Sequence, residues 1–288
     1  MPLMRLILSD CRSFQRGKQF NMKKFPLFFL ALMGLVLLAS CAKERDDDSD
    51  ASLVQTDEVT RLVDAGVETM ADAIVFRSDS GEVSLPDCVV ITDSGSDEYP
   101  RFVSLDFGEG CTDAWGRTRT GLMHLSMSAP WTEVGSLREV TFEDFAVTRP
   151  FQTVAIGVEG VRQLERIEPG EEGESRWART INTALTHPDF TVQREFEGVR
   201  RWIAGEGDPD ADQVWGLTGM GSHTRNGLTR SRNVIEELIL DRTCGEPVSG
   251  VVEVDRPILD NGVMDYGDGE CDGTATLSVG GEVYTIDL

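Results

Sequence analysis

Histidine, lysine and tyrosine are scarce in this chain. Its 288 residues include 3 His and 3 Tyr, and 27 Lys and Arg stand against 50 Asp and Glu, which gives a formal net charge of −23. The sequence therefore predicts no nucleic-acid partner, because phosphate binding requires a basic face. A hydrophobic content of 40% is too high for a disordered chain and indicates a folded protein.

Motifs of the common enzyme classes are also missing. The sequence contains no G-x-S-x-G, H-E-x-x-H, Walker A or G-x-G-x-x-G pattern and no C-x-x-C pair, so no motif points to nucleophilic, metal-dependent or nucleotide-dependent chemistry. The three histidines, His124, His187 and His223, lie far apart in the sequence. A triad built from distant residues would need them to meet in space. We expect a protein without enzymatic activity.

Hydrophobic runs long enough to cross a membrane are lacking. The longest uncharged apolar run, Phe25–Ala39, has fifteen residues, whereas a membrane-spanning helix needs about 20. Lys23 and Lys24 precede it and small residues follow it, which is the pattern of a secretory signal peptide. We expect residues 1–40 to be removed. Translation is expected to begin at Met22, because the preceding segment would make the basic region unusually long.

The end of this segment, Leu38-Ala39-Ser40-Cys41, resembles the lipobox of bacterial lipoproteins. The resemblance implies that Cys41 receives a diacylglyceryl thioether and anchors the mature protein in a bilayer, since two or more acyl chains bind stably. We expect an outer-membrane protein that faces the periplasm or the cell surface. Residues 41–56 would form an acidic, disordered tether. The run Asp46–Asp48 resembles the export signal of Bacteroidota surface lipoproteins, and a solvated spacer is the alternative.

Residues 57–76 carry the clearest helical pattern. Their apolar residues recur at spacings of three and four, which places them on one face of a helix. This stripe consists of Val59, Leu62, Val63, Val67, Met70 and Ile74. Thr56 is the expected N-cap, with Asp57 and Glu58 in the first turn near the positive end of the helix.

From residue 84 onward the apolar period changes to two. Val103, Leu105 and Phe107 alternate with Phe102, Ser104 and Asp106, as in antiparallel strands with one buried face. Asn226-Gly227 and Gly280-Gly281 predict hairpin turns. The sequence contains no βαβ pattern, so we expect no parallel sheet. We therefore expect residues 84–288 to form one all-β domain, either an antiparallel sandwich or a strongly curved sheet.

Four cysteines remain after the leader and Cys41 are set aside, namely Cys88, Cys111, Cys244 and Cys271. In an exported chain they indicate two disulfides, with three possible connectivities. The segments Leu105–Cys111 and Met264–Cys271 both read Asp, aromatic, Gly, acid and Gly before a cysteine, and each cysteine follows an earlier one by 23 or 27 residues. This repetition favours the bridges Cys88–Cys111 and Cys244–Cys271.

The same two segments carry a family resemblance. LDFGEGCTDAWGRTRTG and MDYGDGECDGTATLSVGGEVYTIDL resemble parts of a family of Bacteroidota envelope lipoproteins. In that family, DFG-x-GC and terminal DYGDG-x-CD motifs bracket a strand-rich region. The similarity spans about 85–288 and is specific only at these two motifs. It implies an envelope lipoprotein, and it brings no activity or catalytic residue.

Acidic loops offer two candidate calcium sites. The glycines of the repeated segments are explained by tight corners that need positive φ. The alternative is calcium bound by the carboxylates of Asp106, Asp265, Asp268 and Asp272. Asp208, Asp210 and Asp212 begin like an EF-hand loop, but Gln213 and Gly219 stand where Gly and Glu are required. A solvated hairpin tip is the alternative interpretation of that loop.

Tryptophans and strand arginines also admit more than one role. The tryptophans could stack on sugar rings if exposed together, or could fill the core; they are Trp115, Trp131, Trp177, Trp202 and Trp215. Residues 168–176 read as a solvated loop, and no strand is predicted near Trp177. The next predicted strands are 190–197 and 199–205. One group of arginines is interpreted as cross-strand ion pairs on a solvent face, namely Arg194, Arg200, Arg201, Arg225, Arg230 and Arg232.

The leading functional hypothesis is a lipid-anchored cell-envelope protein whose β-domain has a non-catalytic structural or interaction role. Its partners would be the bilayer, through Cys41, and another envelope protein or a glycan. The alternative is a surface module that binds glycan or calcium. An envelope hydrolase has the least support, because no catalytic motif is present.

Overall fold

The computed structural model describes residues 49–80, 85–94, 98–206 and 213–288. Several predictions fall on residues outside this part of the chain: the leader 1–40, Met22, Cys41, residues 41–48 of the tether, and Asp208, Asp210 and Asp212. Residues 50–56 of the expected disordered tether are helical instead. No helix within the described ranges combines the length and apolar character that crossing a membrane requires.

The described chain contains one helix followed by fourteen strands. The helix, α1, comprises Asp50–Ser80. The strands are β1 (Val90–Asp93), β2 (Arg101–Asp106), β3 (Cys111–Thr112), β4 (Thr118–Met127), β5 (Leu137–Thr148), β6 (Ala155–Ile167), β7 (Arg176–His187), β8 (Phe190–Ala204), β9 (Val214–Arg225), β10 (Leu228–Asp241), β11 (Glu246–Asp255), β12 (Gly262–Asp268), β13 (Thr274–Val279) and β14 (Glu282–Asp287).

Helix α1 is longer at both ends than the predicted span 57–76. Ser49 precedes it, and the Ser49 hydroxyl accepts a hydrogen bond from the Ser52 amide at 3.2 Å, as an N-cap does. Thr56 is not the cap; it lies inside the helix and donates to the Ser52 carbonyl at 2.7 Å. The prediction placed the start too late because it overlooked Leu53, which is 2% exposed and anchors the first turn in the core.

The predicted apolar stripe of α1 is confirmed, since all six of its residues are buried. It packs on the strands that follow it first in the sequence, with Val103, Leu105, Met123 and Val147 among its partners in one core cluster. Gly66 permits close approach here, because a Cβ at this position would lie 3.1 Å from both methyl groups of Val147.

The strands form a single antiparallel sheet in which neighbours in sequence are neighbours in space, from β1 to β14, with β3 paired to β4 beside this path. The predicted all-β class with an N-terminal helix is therefore confirmed. Of the two expected architectures the sheet is the curved one, because a sandwich requires two sheets. The predicted turns are also confirmed: Asn226-Gly227 and Gly280-Gly281 join adjacent strands and have positive φ at both residues.

The sheet wraps around α1. Glu58 contacts Arg149 just after β5, while the adjacent Asp57 contacts Tyr266 on β12. In a flat sheet these strands would lie seven spacings apart, roughly 34 Å, whereas a helix is about 10–12 Å wide. The sheet must therefore curl around the helix. Bulges assist the bending, for example at Gly121, where a Cβ would lie 2.2 Å from the Asp144 carbonyl oxygen.

Two sequence-based strand assignments need correction. Strand β7 occupies the stretch near Trp177, where no strand was predicted, while the loop predicted at 168–176 is confirmed as far as Ser175. Its inward positions mix tryptophan, arginine, isoleucine, threonine and leucine, and this mixture hid the alternation. The predicted strands 190–197 and 199–205 are one continuous strand, β8, which passes through Gly198.

Candidate functional site

Helix α1 has a second buried face that is ionic. Asp57, Arg61, Asp64, Glu68 and Asp72 follow one another at spacings of three or four residues, which places them on one side of the helix. We call this the acidic face. It lies beside the apolar stripe and points at later strands of the sheet, as its ion pairs show.

Arginines reach the acidic face from successive strands, because inward positions alternate along each strand. Arg194 on β8 donates two hydrogen bonds to Asp64, at 2.5 and 2.8 Å. Arg200, six residues further along β8 and therefore on the same side of the sheet, binds Asp72 at 2.8 Å. Arg138 on β5 binds the same carboxylate at 2.7 Å.

Glu68 is at the centre of this network. Its carboxylate lies 3.2 Å from Arg138, 3.1 Å from Arg162, 3.1 Å from Arg179 and 3.4 Å from Arg200. Burial alone would raise the pKa of the Glu68 carboxyl, but the guanidinium charges outweigh it and hold this pKa below its ordinary value. The same balance holds the pKa values of Asp64 and Asp72 well below normal.

The cluster carries more positive than negative charge. Three carboxylates, Asp64, Glu68 and Asp72, meet five guanidinium groups, which we call the arginine cluster: Arg138, Arg162, Arg179, Arg194 and Arg200. Within the described residues none of the five has an ion-pair partner besides these carboxylates. The result is an excess of two positive charges inside a chain whose net charge is −23.

A balanced ionic group lies nearer the N-terminus of α1. Asp57 accepts hydrogen bonds from Arg61 at 2.8 Å and from Arg232 at 2.7 Å, and Arg61 also binds Glu246 at 2.7 Å. Burial raises the pKa of the Tyr266 hydroxyl, and the neighbouring Asp57 charge raises it further. Tyr266 therefore remains a neutral phenol on this side of the helix.

A cavity of about 490 Å³ lies between the acidic face and the sheet. Its charged wall includes Arg179, Arg194 and Arg200 together with the carboxylates of Asp64, Glu68 and Asp72 that they bind. Its apolar wall consists of side chains from β8 to β11, among them Phe196, Trp215, Leu217, Val234, Leu238 and Val252. Exposed residues such as Trp115 and Thr243 are part of its lining, so the cavity reaches the protein surface.

His223 on β9 lines this cavity and is 6% exposed. Burial lowers its pKa well below the ordinary range, and the positive charges of Arg232 and Arg194 lower it further. The Nδ1 atom lies 3.5 Å from Nη1 of Arg232. A guanidinium can only donate, so this contact assigns the acceptor role to Nδ1 and leaves the ring proton on Nε2.

Four of the five tryptophans pack together in one cluster on the inner side of the curled sheet. Trp177 stacks on Trp131 with ring centroids 4.9 Å apart, and Trp202 lies 3.8 Å from Trp215. Trp177, Trp202 and Trp215 are buried, whereas Trp115 is 53% exposed. The tryptophan group therefore fills the core, as one of the two interpretations expected, and Trp215 also forms part of the cavity wall.

The repeated cysteine segments are structural corners. The bridges Cys88–Cys111 and Cys244–Cys271 are both present. Asp106 accepts a hydrogen bond from the Gly108 amide at 2.8 Å, and Asp265 accepts one from Gly267 at 2.9 Å. Both glycines have positive φ, so the expected backbone requirement explains them.

The proposed calcium ligands are not brought together in the described structure. Asp106 and Asp265 lie on β2 and β12, and Asp272 is engaged by Thr274. Among the described residues no group of three or more His, Cys, Asp or Glu side chains could hold a metal ion. His124 and His187 lie away from the cavity, paired with Ser104 and stacked on Phe190 respectively.

The arginine interpretation was wrong for five of its six residues. Arg194, Arg200, Arg225, Arg230 and Arg232 turn inward and contact α1. Only Arg201 pairs across strands on the outer face, with Glu237. One feature of the sequence could have indicated these inward contacts. The spacing of acidic residues on α1 places four carboxylates on one side of a helix that is buried, and buried carboxylates need cationic partners.

No family model, no curated protein and no solved structure matches the chain. The chemistry of the cavity is therefore the feature that bears on function.

Proposed function

We propose that this chain is a lipid-anchored protein of the outer membrane whose β-domain has a non-catalytic binding role. The observation that supports binding is the cavity between α1 and the sheet. Its volume of about 490 Å³ falls within the range of about 300–1,000 Å³ that small-molecule sites occupy. It combines an apolar wall with converging arginine and carboxylate side chains, and polar groups that converge on an apolar pocket orient ligands in such sites.

The anchoring half of the proposal rests on the lipobox at Cys41, and metabolic labelling tests it. Cells that express the full chain are expected to incorporate radioactive palmitate into the protein and to retain it in the membrane fraction. Cys41→Ala should abolish labelling. Equal labelling of the variant, or an unlabelled protein among soluble cell contents, would contradict the anchor.

The binding half is tested with N-phenylnaphthylamine (NPN), a neutral apolar dye whose fluorescence rises in apolar surroundings. For this test the leader is exchanged for one that ordinary signal peptidase removes, so that residues 42–288 are exported without acylation. We expect saturable binding near one dye per chain. Ala65 lines the cavity, so Ala65→Phe should weaken binding by about tenfold or more through lost space.

Ala51→Phe is the matched control, because Ala51 is an exposed residue of the same helix outside the cavity lining. Its binding should equal that of the unchanged protein. No saturable binding by the unchanged protein, or equal loss in both variants, would contradict the binding role.

A further inference from the structure

The charge imbalance of the arginine cluster leads to a specific ligand class. Burying an unpaired charge is costly, because water is lost and no opposite charge replaces it. Here five guanidinium groups share three carboxylates. Among the described residues, no further carboxylate pairs with any of the five. A stable state therefore gains from one or two further negative charges beside the cluster.

The cluster also keeps unused hydrogen-bonding capacity. A guanidinium has five N–H donors, yet the hydrogen bond of Arg179 runs only from Nη2 to Glu68, at 3.1 Å. Its Nε is buried and has no hydrogen-bond partner, although Arg179 is only 6% exposed. Arg179 lines the cavity together with Arg194 and Arg200, so the arginine cluster borders space that a ligand can occupy.

Apolar side chains line the cavity directly beside the arginines. Arg179 lies over the ring of Phe196 at 5.7 Å, and Arg200 lies over Trp215 at 3.3 Å. Leu217 and Leu238, each buried, continue this wall. Charged and apolar surfaces therefore meet inside one cavity.

We infer that the cavity binds an amphipathic anion, a molecule whose carboxylate, phosphate or sulfonate group neutralises the arginine cluster and whose apolar body lies against β8 to β11. This inference rests on the proposed binding role and deepens it by naming the ligand class. The net charge of −23 disfavours anion binding at most other places on the protein. Binding of an anion would therefore point to the arginine cluster.

The test compares two dyes that differ by one sulfonate: anilinonaphthalene sulfonate (ANS) and its neutral counterpart NPN. Exported residues 42–288 should bind ANS at one site and about tenfold or more tightly than NPN, because hydrogen bonds to a charged group are strong in a buried site. Displacement of ANS by dodecanoate and by dodecyl phosphate, with dodecanol as the neutral control, then distinguishes a carboxylate ligand from a phosphate ligand.

Arg194→Gln and Arg200→Gln should each weaken ANS binding while leaving NPN binding nearly unchanged. Arg201→Gln is the matched control, because Arg201 lies on the same strand but faces outward and pairs with Glu237. Glu68→Gln, which increases the positive excess, should tighten ANS binding. Because Arg194→Gln and Arg200→Gln remove different arginines, either variant keeps the inference testable if the other does not fold.

Equal affinity for both dyes would overturn the anionic ligand and leave the binding role intact. An equal response of Arg194→Gln, Arg200→Gln and Arg201→Gln would also overturn it, because the anion would then bind elsewhere. Absence of binding by either dye would instead contradict the proposed function itself.

Discussion

The two buried faces of α1 are held by different forces. Toward β2–β6 the helix packs through valine, leucine and methionine side chains, and Gly66 approaches Val147 closely. Its acidic face is held through arginine–carboxylate pairs: to β5 and β6, where the backbone of α1 lies closest, and across a wider gap to β7, β8 and β10. Long arginine side chains bridge the wider gap on the ionic side and leave the cavity beside them. The apolar face fixes the helix, and the ionic face shapes a site.

The largest expected effect comes from removing the central carboxylate of the ionic face. Glu68→Gln leaves five guanidinium groups with two carboxylates and should lower the free energy of unfolding by about 3–5 kcal/mol. Chemical denaturation measures it. Glu58→Gln is the control, since Glu58 lies on the same helix but is 38% exposed in its pair with Arg149. Equal, small losses in both variants would contradict the asymmetry.

A smaller loss is expected on the apolar face. Val67 is 1% exposed, and Val67→Ala should lower the free energy of unfolding by about 2 kcal/mol through lost burial and a small void. Because no charge is involved, this loss should be the same at low and at molar salt, whereas salt should alter the effect of Glu68→Gln. A salt-dependent Val67→Ala effect would show that the two faces are not separable.

Below pH 6.5 His223 should make the ionic side sensitive to acid. Its folded pKa is lowered, chiefly by burial and by Arg232 and Arg194, so the unfolded chain takes up this proton first. Stability is then full above about pH 6.5 and falls by about 1.4 kcal/mol per pH unit below it. The buried carboxylates lose their stabilising contribution only at lower pH. Because their folded pKa values are lowered, this contribution to the free energy of unfolding is kept until the pH falls below about 4.

Denaturation at pH 7, 6 and 5 measures this slope, and His223→Gln should remove the contribution of His223. His124→Gln is the matched control, because it removes an imidazole from the outer face of the sheet. An unchanged slope in His223→Gln would contradict a neutral His223 in the cavity.

The smallest effect on stability is expected from removing a positive charge. Arg194→Gln removes the bidentate ion pair with Asp64, but Asp64 retains its ion pair with Arg162 at 2.6 Å. The substitution also reduces the excess positive charge of the cluster. The free energy of unfolding should change by less than about 1 kcal/mol, well below the cost of breaking an ordinary buried pair. A loss as large as that of Glu68→Gln would mean that the cluster has no excess charge to relieve.

Much of the fold could be predicted from the sequence, because the positions that alternate cleanly belong to strands whose inward side chains are apolar. Strand β7 was not predicted, for the opposite reason. Its buried positions include Arg179 and Thr183 as well as Trp177, and polar residues at inward positions interrupt the alternation of apolar residues. The two disulfides were recognisable because the cysteine segments repeat.

The site itself was harder to predict. A charged residue on a strand is normally assigned to solvent, since Arg is seldom buried unless paired, and the partners of these arginines lie some 70 to 130 residues earlier on α1. Pairing across such separations depends on how the sheet curls around the helix. The wall of the cavity follows from the same curvature, which no local pattern contains.

The most direct test of the excess positive charge is to locate an anion in a crystal. Crystals of residues 42–288 soaked in bromide should show anomalous density inside the cavity, within contact distance of Arg179, Arg194 or Arg200, and the density should disappear in Arg194→Gln or Arg200→Gln crystals. Bromide found only at outer surfaces, with none beside the arginine cluster, would contradict the account.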